Sequence, residues 1–102
     1  MRYPPFSALA NILVRDENQE RAFRMSAEIG RLLSPPPEGL RLLGPAEAPV
    51  ARVQKEFRYQ LLLKAASRRT LGMTLERVRG LALESRWPPA ALVIDVDPLS
   101  LM

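Results

Sequence analysis

Ten prolines punctuate this 102-residue chain, and that punctuation limits what it can fold into more than any other feature. Proline fixes φ and removes a backbone N–H, so it is tolerated at the first turn of a helix, at sheet edges and in turns, but not inside helices or central strands. Pro4-Pro5, Pro35-Pro36-Pro37 and Pro88-Pro89 act as hard stops, and Pro45, Pro49 and Pro98 as single ones. What remains are two long proline-free windows, residues 6–34 and 50–87, with short segments between and after them. The prolines fall mostly at the bounds of the expected elements.

Tyr3-Pro4-Pro5-Phe6 gives an extended entry suited to a sheet edge or a linker. From Phe6 to Arg15 the residues are short, apolar and partly β-branched, which predicts a strand with Leu9 and Leu13 on one face. Asp16 to Asn18 supplies turn and N-cap chemistry, with Glu17 and Glu20 near the positive end of a following helix. Ala22, Met25, Ile29, Leu32 and Leu33 make its apolar stripe, and Ser34-Pro35 stops it.

Leu40 to Leu43 is a short strand candidate running into Gly44-Pro45-Ala46-Glu47-Ala48-Pro49, a stretch that cannot continue a central strand. Residues 44–56 are expected to form a protruding loop or hairpin arm. From Phe57 to Ala65 the alternation is clear: Phe57, Tyr59, Leu61, Leu63 and Ala65 on one side, and Arg58, Gln60, Leu62 and Lys64 on the other. Ser67 is placed to cap a second helix with the stripe Leu71, Leu75, Val78 and Ala82, widened by Leu81. Gly72 and Gly80 weaken it by up to about 1 kcal/mol each relative to Ala, so it depends on packing. Leu92, Ile94 and Val96 alternate with Val93, Asp95 and Asp97 in a closing strand.

The resulting order, strand-helix-strand-strand-helix-strand, is the split βαβ pattern of ferredoxin-like folds. The expected class is α+β, with two helices covering one face of a four-stranded sheet. At 102 residues the chain has room for one domain, residues 1–102, able to bury roughly 60–70% of its unfolded surface. No apolar run approaches the ~20 residues of a membrane span, and no signal-peptide core follows Met1, so a soluble, intracellular domain is expected.

Composition removes several chemistries. Without Cys or His there is no thiol nucleophile, no imidazole acid or base and no usual zinc ligand set. Asp95 and Asp97 share a strand face, roughly 7 Å apart along it. Paired carboxylates can serve acid/base or metal chemistry, but these lack a partner nearby in sequence, and protection of a strand edge or pairing with arginine is the simpler role. There is no phosphate-binding glycine loop. The chain by itself is expected to be non-catalytic and to hold no metal or cofactor.

The net charge of +4 is unevenly placed. Residues 1–50 are neutral, whereas residues 52–79 hold Arg52, Lys55, Arg58, Lys64, Arg68, Arg69, Arg77 and Arg79 against Glu56 and Glu76, a local +6. That cluster is either a solvated basic surface or an anion-binding face for nucleic acid or an acidic peptide. Aromatics interleaved with cations in Lys55-Glu56-Phe57-Arg58-Tyr59 suit single-strand binding, where rings stack on bases and cations meet phosphate. Tyr59 shares the parity of the core leucines, Phe57 at the strand's start is more open, and Trp87 beside two prolines suits a lid on the core. The candidate nucleic-acid residues are therefore Arg52, Lys55, Phe57, Arg58, Gln60 and Lys64. Arg68 and Arg69 open the second helix, where free N–H groups favour an anion.

Three segments together resemble the C-terminal domain of the PriA family, the bacterial primosomal N′ proteins: Tyr3-Pro4-Pro5-Phe6; Gly44-Pro45-Ala46 leading to Arg58-Tyr59-Gln60-Leu61-Leu62-Leu63-Lys64 and Ser67-Arg68; and Ile94-Asp95-Val96-Asp97-Pro98. The resemblance implies one domain of a larger replication-restart helicase, similar in fold to a small-subunit ribosomal protein. It implies binding of branched or single-stranded DNA and of the acidic tail of single-stranded-DNA-binding protein, with Arg68 matching an arginine used toward that tail. ATP with magnesium, zinc and 3′-to-5′ unwinding are implied only for domains of the parent outside these residues, as are contacts with other primosome proteins and with the rest of the parent. A cytoplasmic, nucleoid-associated location and no membrane partner follow from the same likeness. This chain has Lys55-Glu56 where the family often has Gly-Arg, and Gly72 where some members carry glutamine. A pure protein-docking module and an RNA-binding, ribosomal-type protein of similar fold stand as alternatives.

Overall fold

The computed structural model describes residues 8–53 and 55–96. Its elements are β1 (Ala8–Asp16), α1 (Gln19–Leu32), β2 (Leu40–Val53), β3 (Glu56–Ala65), α2 (Arg68–Glu84) and β4 (Leu92–Val96), with a single 3-10 turn at Pro89–Ala91 leading into β4. Each strand runs antiparallel to its neighbours in the order β2-β3-β1-β4. This is the α+β, βαββαβ arrangement expected from the proline-bounded windows. Tyr3 to Phe6, Asp97 and Pro98 lie outside the described residues.

Alternation along the strands decides which sheet face is covered. Ala8, Ala10, Ile12 and Val14 of β1 and Tyr59, Leu61, Leu63 and Ala65 of β3 are buried, and both helices pack on that side. From α1 come Ala22, Met25 and Ile29, with Leu33 just beyond it, and from α2 Leu71, Leu75 and Val78, all buried. Leu9 and Leu13 share a face as predicted, and it is the one away from the helices; the parity that buries the β-branched Ile12 and Val14 also carries Ala8 and Ala10 inward. Ser26 and Thr74 are buried polar groups satisfied locally, their hydroxyls donating to the carbonyls of Phe23 (2.8 Å) and Thr70 (2.9 Å).

Both helix starts are capped by the residues expected. Asn18 Oδ1 accepts from the Arg21 N–H at 2.9 Å, and Ser67 Oγ accepts from the Thr70 N–H at 3.1 Å. The end of α2 is less usual. Arg86 sits at φ 59°, the Trp87 N–H donates to the Ala82 carbonyl (3.0 Å), and the Arg86 N–H donates to that of Leu83 (3.1 Å). That is a Schellman closure with arginine in the left-handed position that glycine normally takes.

β2 is longer than the strand expected at Leu40–Leu43: residues 44–53 continue it as the outer part of the β2–β3 hairpin. The ladder is irregular between Leu43 and Ala46 and again between Glu47 and Arg52, so that Pro45 and Pro49 each fall within a bulge. Because β2 lies at the sheet edge, neither proline removes a hydrogen bond that a central strand would need. Gly44 turns the first bulge at φ 102°.

Candidate nucleic-acid interface

The sheet face opposite the helices carries no covering layer among the described residues. The registers set its side chains in four rows. Arg41 of β2 faces Lys64 of β3, beside Leu9 of β1. Next come Leu43, Leu62, Asn11 and Asp95, and then Ala46, Gln60, Leu13 and Val93. In the last row Arg58 of β3 faces Arg15 of β1.

Cations thus occupy both ends of the face, paired across strands with their own kind. Directly opposed like charges destabilise a sheet, whereas opposite charges stabilise it, so two such pairs on one face are unfavourable until an anion joins them. Among the described residues only Arg15 of the four has an acidic partner, Glu56 at 4.0 Å, and both are partly exposed, which makes that ion pair weak. The Arg15 Nε donates to the Ala90 carbonyl at 2.7 Å, anchoring its stem to the turn before β4. Arg58 Nε is buried with no hydrogen-bond partner among the described residues.

Between the two cationic rows the surface is apolar with a few polar groups. Leu43 and Val93 are about 40% exposed at 40% and 39%, and Leu13 and Leu62 are half-buried. Asn11, Gln60 and Asp95 supply hydrogen-bonding groups in the same strip.

The predicted nucleic-acid residues divide. Arg58, Gln60 and Lys64 come together on the open face. Phe57 has the parity of Tyr59 and lies on the helix side, half-buried; Lys55 occupies the β2–β3 turn at φ 68°; the backbone of Arg52 pairs opposite Phe57. Tyr59 is a core residue, 7% exposed, with the ring of Phe23 edge-on to it at 5.6 Å. Arg15 and Arg41 were missed, because both belong to the charge-neutral half of the chain and only the strand register brings them to Arg58 and Lys64.

The local +6 is not one face. Arg77 on α2 donates through Nη2 to the Leu32 carbonyl at 3.0 Å, at the negative end of α1, and Arg79 pairs with Glu76 at 3.2 Å. Helical periodicity carries these two to the helix side of the domain. Arg68 and Arg69 are exposed as the first residues of α2, and no acid occupies that first turn. Gly72, one turn on, has open space around it. Trp87 packs on the core edge, as a lid should, and lines a groove of about 430 Å³ with Arg79, Leu83, Leu92 and Ile94. Among the described residues no helix is long and apolar enough to cross a membrane.

Comparison with known proteins adds a family to this geometry. Residues 1–99 match the family model described as the primosomal protein N C-terminal domain. The chain is 33% identical over 99% of its length to the replication restart protein PriA of Haemophilus influenzae, and 31% identical over 99% to that of Synechocystis sp.. It is 35% identical over 96% to the probable replication restart protein PriA of Deinococcus radiodurans. It spans only 14%, 12% and 10% of those three proteins. Among solved structures, the de novo designed protein Foldit4 superposes with a TM-score of 0.60 at 12% identity, covering 87% of this chain and 91% of that one, a likeness of fold alone. With the expected strand and helix order and a family match along nearly its whole length, the chain belongs to the primosomal protein N C-terminal domain family, the domain carried by replication restart proteins named PriA.

Proposed function

We propose that this domain binds DNA, branched or single-stranded, through the open face of its sheet, and that it does so as a non-catalytic part of a longer replication-restart helicase. The observation that carries this is the cross-strand register that sets like charges opposite each other, Arg41 against Lys64 and Arg15 against Arg58. A polyanion that bridges each pair turns mutual repulsion into shared attraction, the electrostatic term that dominates nucleic-acid affinity. In this proposal ATP, magnesium and zinc belong to segments of the longer protein outside these residues, and the domain works beside other primosome proteins in the bacterial cytoplasm at the nucleoid.

The test is titration of forked DNA, and of an RNA fork of equal length, with the wild-type chain, the Arg41→Ala/Lys64→Ala double variant and an Arg24→Ala control on exposed α1. The double variant is expected to weaken DNA binding and flatten its salt dependence, with the control unchanged. Preference for RNA would favour a ribosomal-type role, and equal binding by all three proteins would remove the open face from consideration.

A second role is suggested by the start of α2. Arg68 and Arg69 are its first residues and are exposed, at a helix end whose N–H groups and dipole favour an anion. The acidic tail of single-stranded-DNA-binding protein suits it. Loss of tail-peptide binding in Arg68→Ala/Arg69→Ala with DNA affinity intact would support this role, and unchanged peptide binding would refute it.

A further inference from the structure

If the open face binds DNA at all, as proposed above, its layout restricts which form of DNA it takes. We infer that it accepts a single strand laid along β3, with phosphates held at the two cationic ends and bases lying on the apolar strip between them, and that it discriminates against duplex.

Lys64 and Arg58 are six residues apart on β3, which places the two cationic rows about 20 Å apart along the strand direction. A duplex presents phosphates on its outside and buries the flat faces of its bases. Against a duplex, the leucine and valine strip in the middle of this face would meet only sugar and phosphate and would lose water for no apolar gain. A single strand exposes its bases, and Leu62, Leu43 and Leu13 offer them an apolar floor at the height of the sheet. Gln60 and Asn11, adjacent to that floor, can bond base edges that pairing would otherwise occupy. Among the described residues the face carries no aromatic ring, so it lacks the stacking platforms common to single-strand binders. Binding should accordingly be modest and governed by charge, with the leucines adding selectivity for exposed bases.

Asp95 limits the path across the sheet. It lies on edge strand β4, opposite Asn11, and is exposed. Its charge repels phosphate from the β4 side, while the cations run from Arg41 on β2 through Lys64 and Arg58 on β3 to Arg15 on β1. The strand therefore tracks β3. A 20 Å track suits a site at the lower end of the roughly 4–16 nucleotides a small domain accommodates.

The experiment measures fluorescence anisotropy of oligo(dT) from 2 to 12 nucleotides, and of one mixed-sequence 12-mer both single-stranded and annealed, against the 102-residue chain across a salt series. The single strand is expected to bind at least about tenfold tighter than its duplex, with affinity levelling off near four to six nucleotides. Four phosphate contacts give a log–log salt slope of about −2.8 for a single strand, and Lys64→Ala should reduce its magnitude by about 0.7. Leu62→Ser should weaken single-strand binding several-fold with the slope unchanged, its fold confirmed by circular dichroism. Duplex binding equal to or tighter than the single strand, or full affinity in Leu62→Ser, would overturn the inference while leaving DNA binding by this face intact. Absence of binding to every DNA at low salt would instead overturn the DNA-binding role itself, and the inference with it.

Discussion

Arg41 and Lys64 stand directly opposite each other on β2 and β3, two cations on an uncovered sheet face with no acidic partner within ion-pair distance among the described residues. Such a pair destabilises a sheet by a few tenths to about 1 kcal/mol, less where salt and water screen it. Arg41→Gln is therefore expected to raise stability slightly in low-salt urea unfolding while lowering DNA affinity. An equal loss of both would mean that Arg41 serves packing and not an anion.

Adjacent leucines on β3 test the assignment of faces. Leu61 is fully buried and Leu62 looks out from the opposite side, half-buried. Leu61→Ala is expected to cost about 2–5 kcal/mol through lost burial and a residual cavity. Leu62→Ala is expected to cost less than about 1 kcal/mol, because it leaves no enclosed void. Denaturant midpoints at constant m-value distinguish the two, and similar losses would contradict the covered and open faces described above.

Gly44 holds the first β2 bulge at φ 102°, and a Cβ built there would lie 2.8 Å from the Gln60 carbonyl oxygen. Both the backbone angle and the close approach require glycine. Gly44→Ala is expected to destabilise by about 1–3 kcal/mol, seen as a fall in thermal midpoint. The neighbouring Gln60 would be displaced, so DNA affinity should fall as well.

At the end of α2 the direction reverses. Arg86 occupies a left-handed position that costs a residue with a Cβ about 1 kcal/mol or more, so Arg86→Gly should stabilise. Gly72, inside the helix with nothing within 4 Å of a built Cβ, should gain up to about 1 kcal/mol as alanine. For a domain of about this size that corresponds to a midpoint rise of about 4–8 °C per kcal/mol. Calorimetry of the two single variants and their combination checks both. A fall in either would imply a contact at that position in the folded domain.

Local signals were enough for most of the fold. Ser67 and Asn18 sit where capping chemistry places them, and the alternation from Phe57 to Ala65 identifies a half-covered strand and its outward residues. Pro45 and Pro49 were misleading because a proline argues only against a central strand, and the β2 edge position is a tertiary fact. The orientation of β1 was hidden because both faces are apolar: Leu9 and Leu13 are more apolar than Ala8 and Ala10, yet the inward parity is the one that carries Ile12 and Val14. The site was half legible. Arg58, Gln60 and Lys64 follow from parity within one strand. Arg15 and Arg41 join them only through strand pairings that bring together residues 43 and 23 positions apart in sequence (Arg15–Arg58 and Arg41–Lys64), which composition counted by chain segment scatters.

Backbone amide chemical-shift mapping during titration with a single-stranded oligonucleotide at low salt tests the central claim most directly. The largest shifts are expected on the open face at Asn11, Leu13 and Arg15 of β1, Arg41 and Leu43 of β2, and Arg58 to Lys64 of β3, weakening as salt is added. Shifts confined to the start of α2 near Arg68 or to the groove around Trp87, with the β2–β3–β1 face silent, would contradict it.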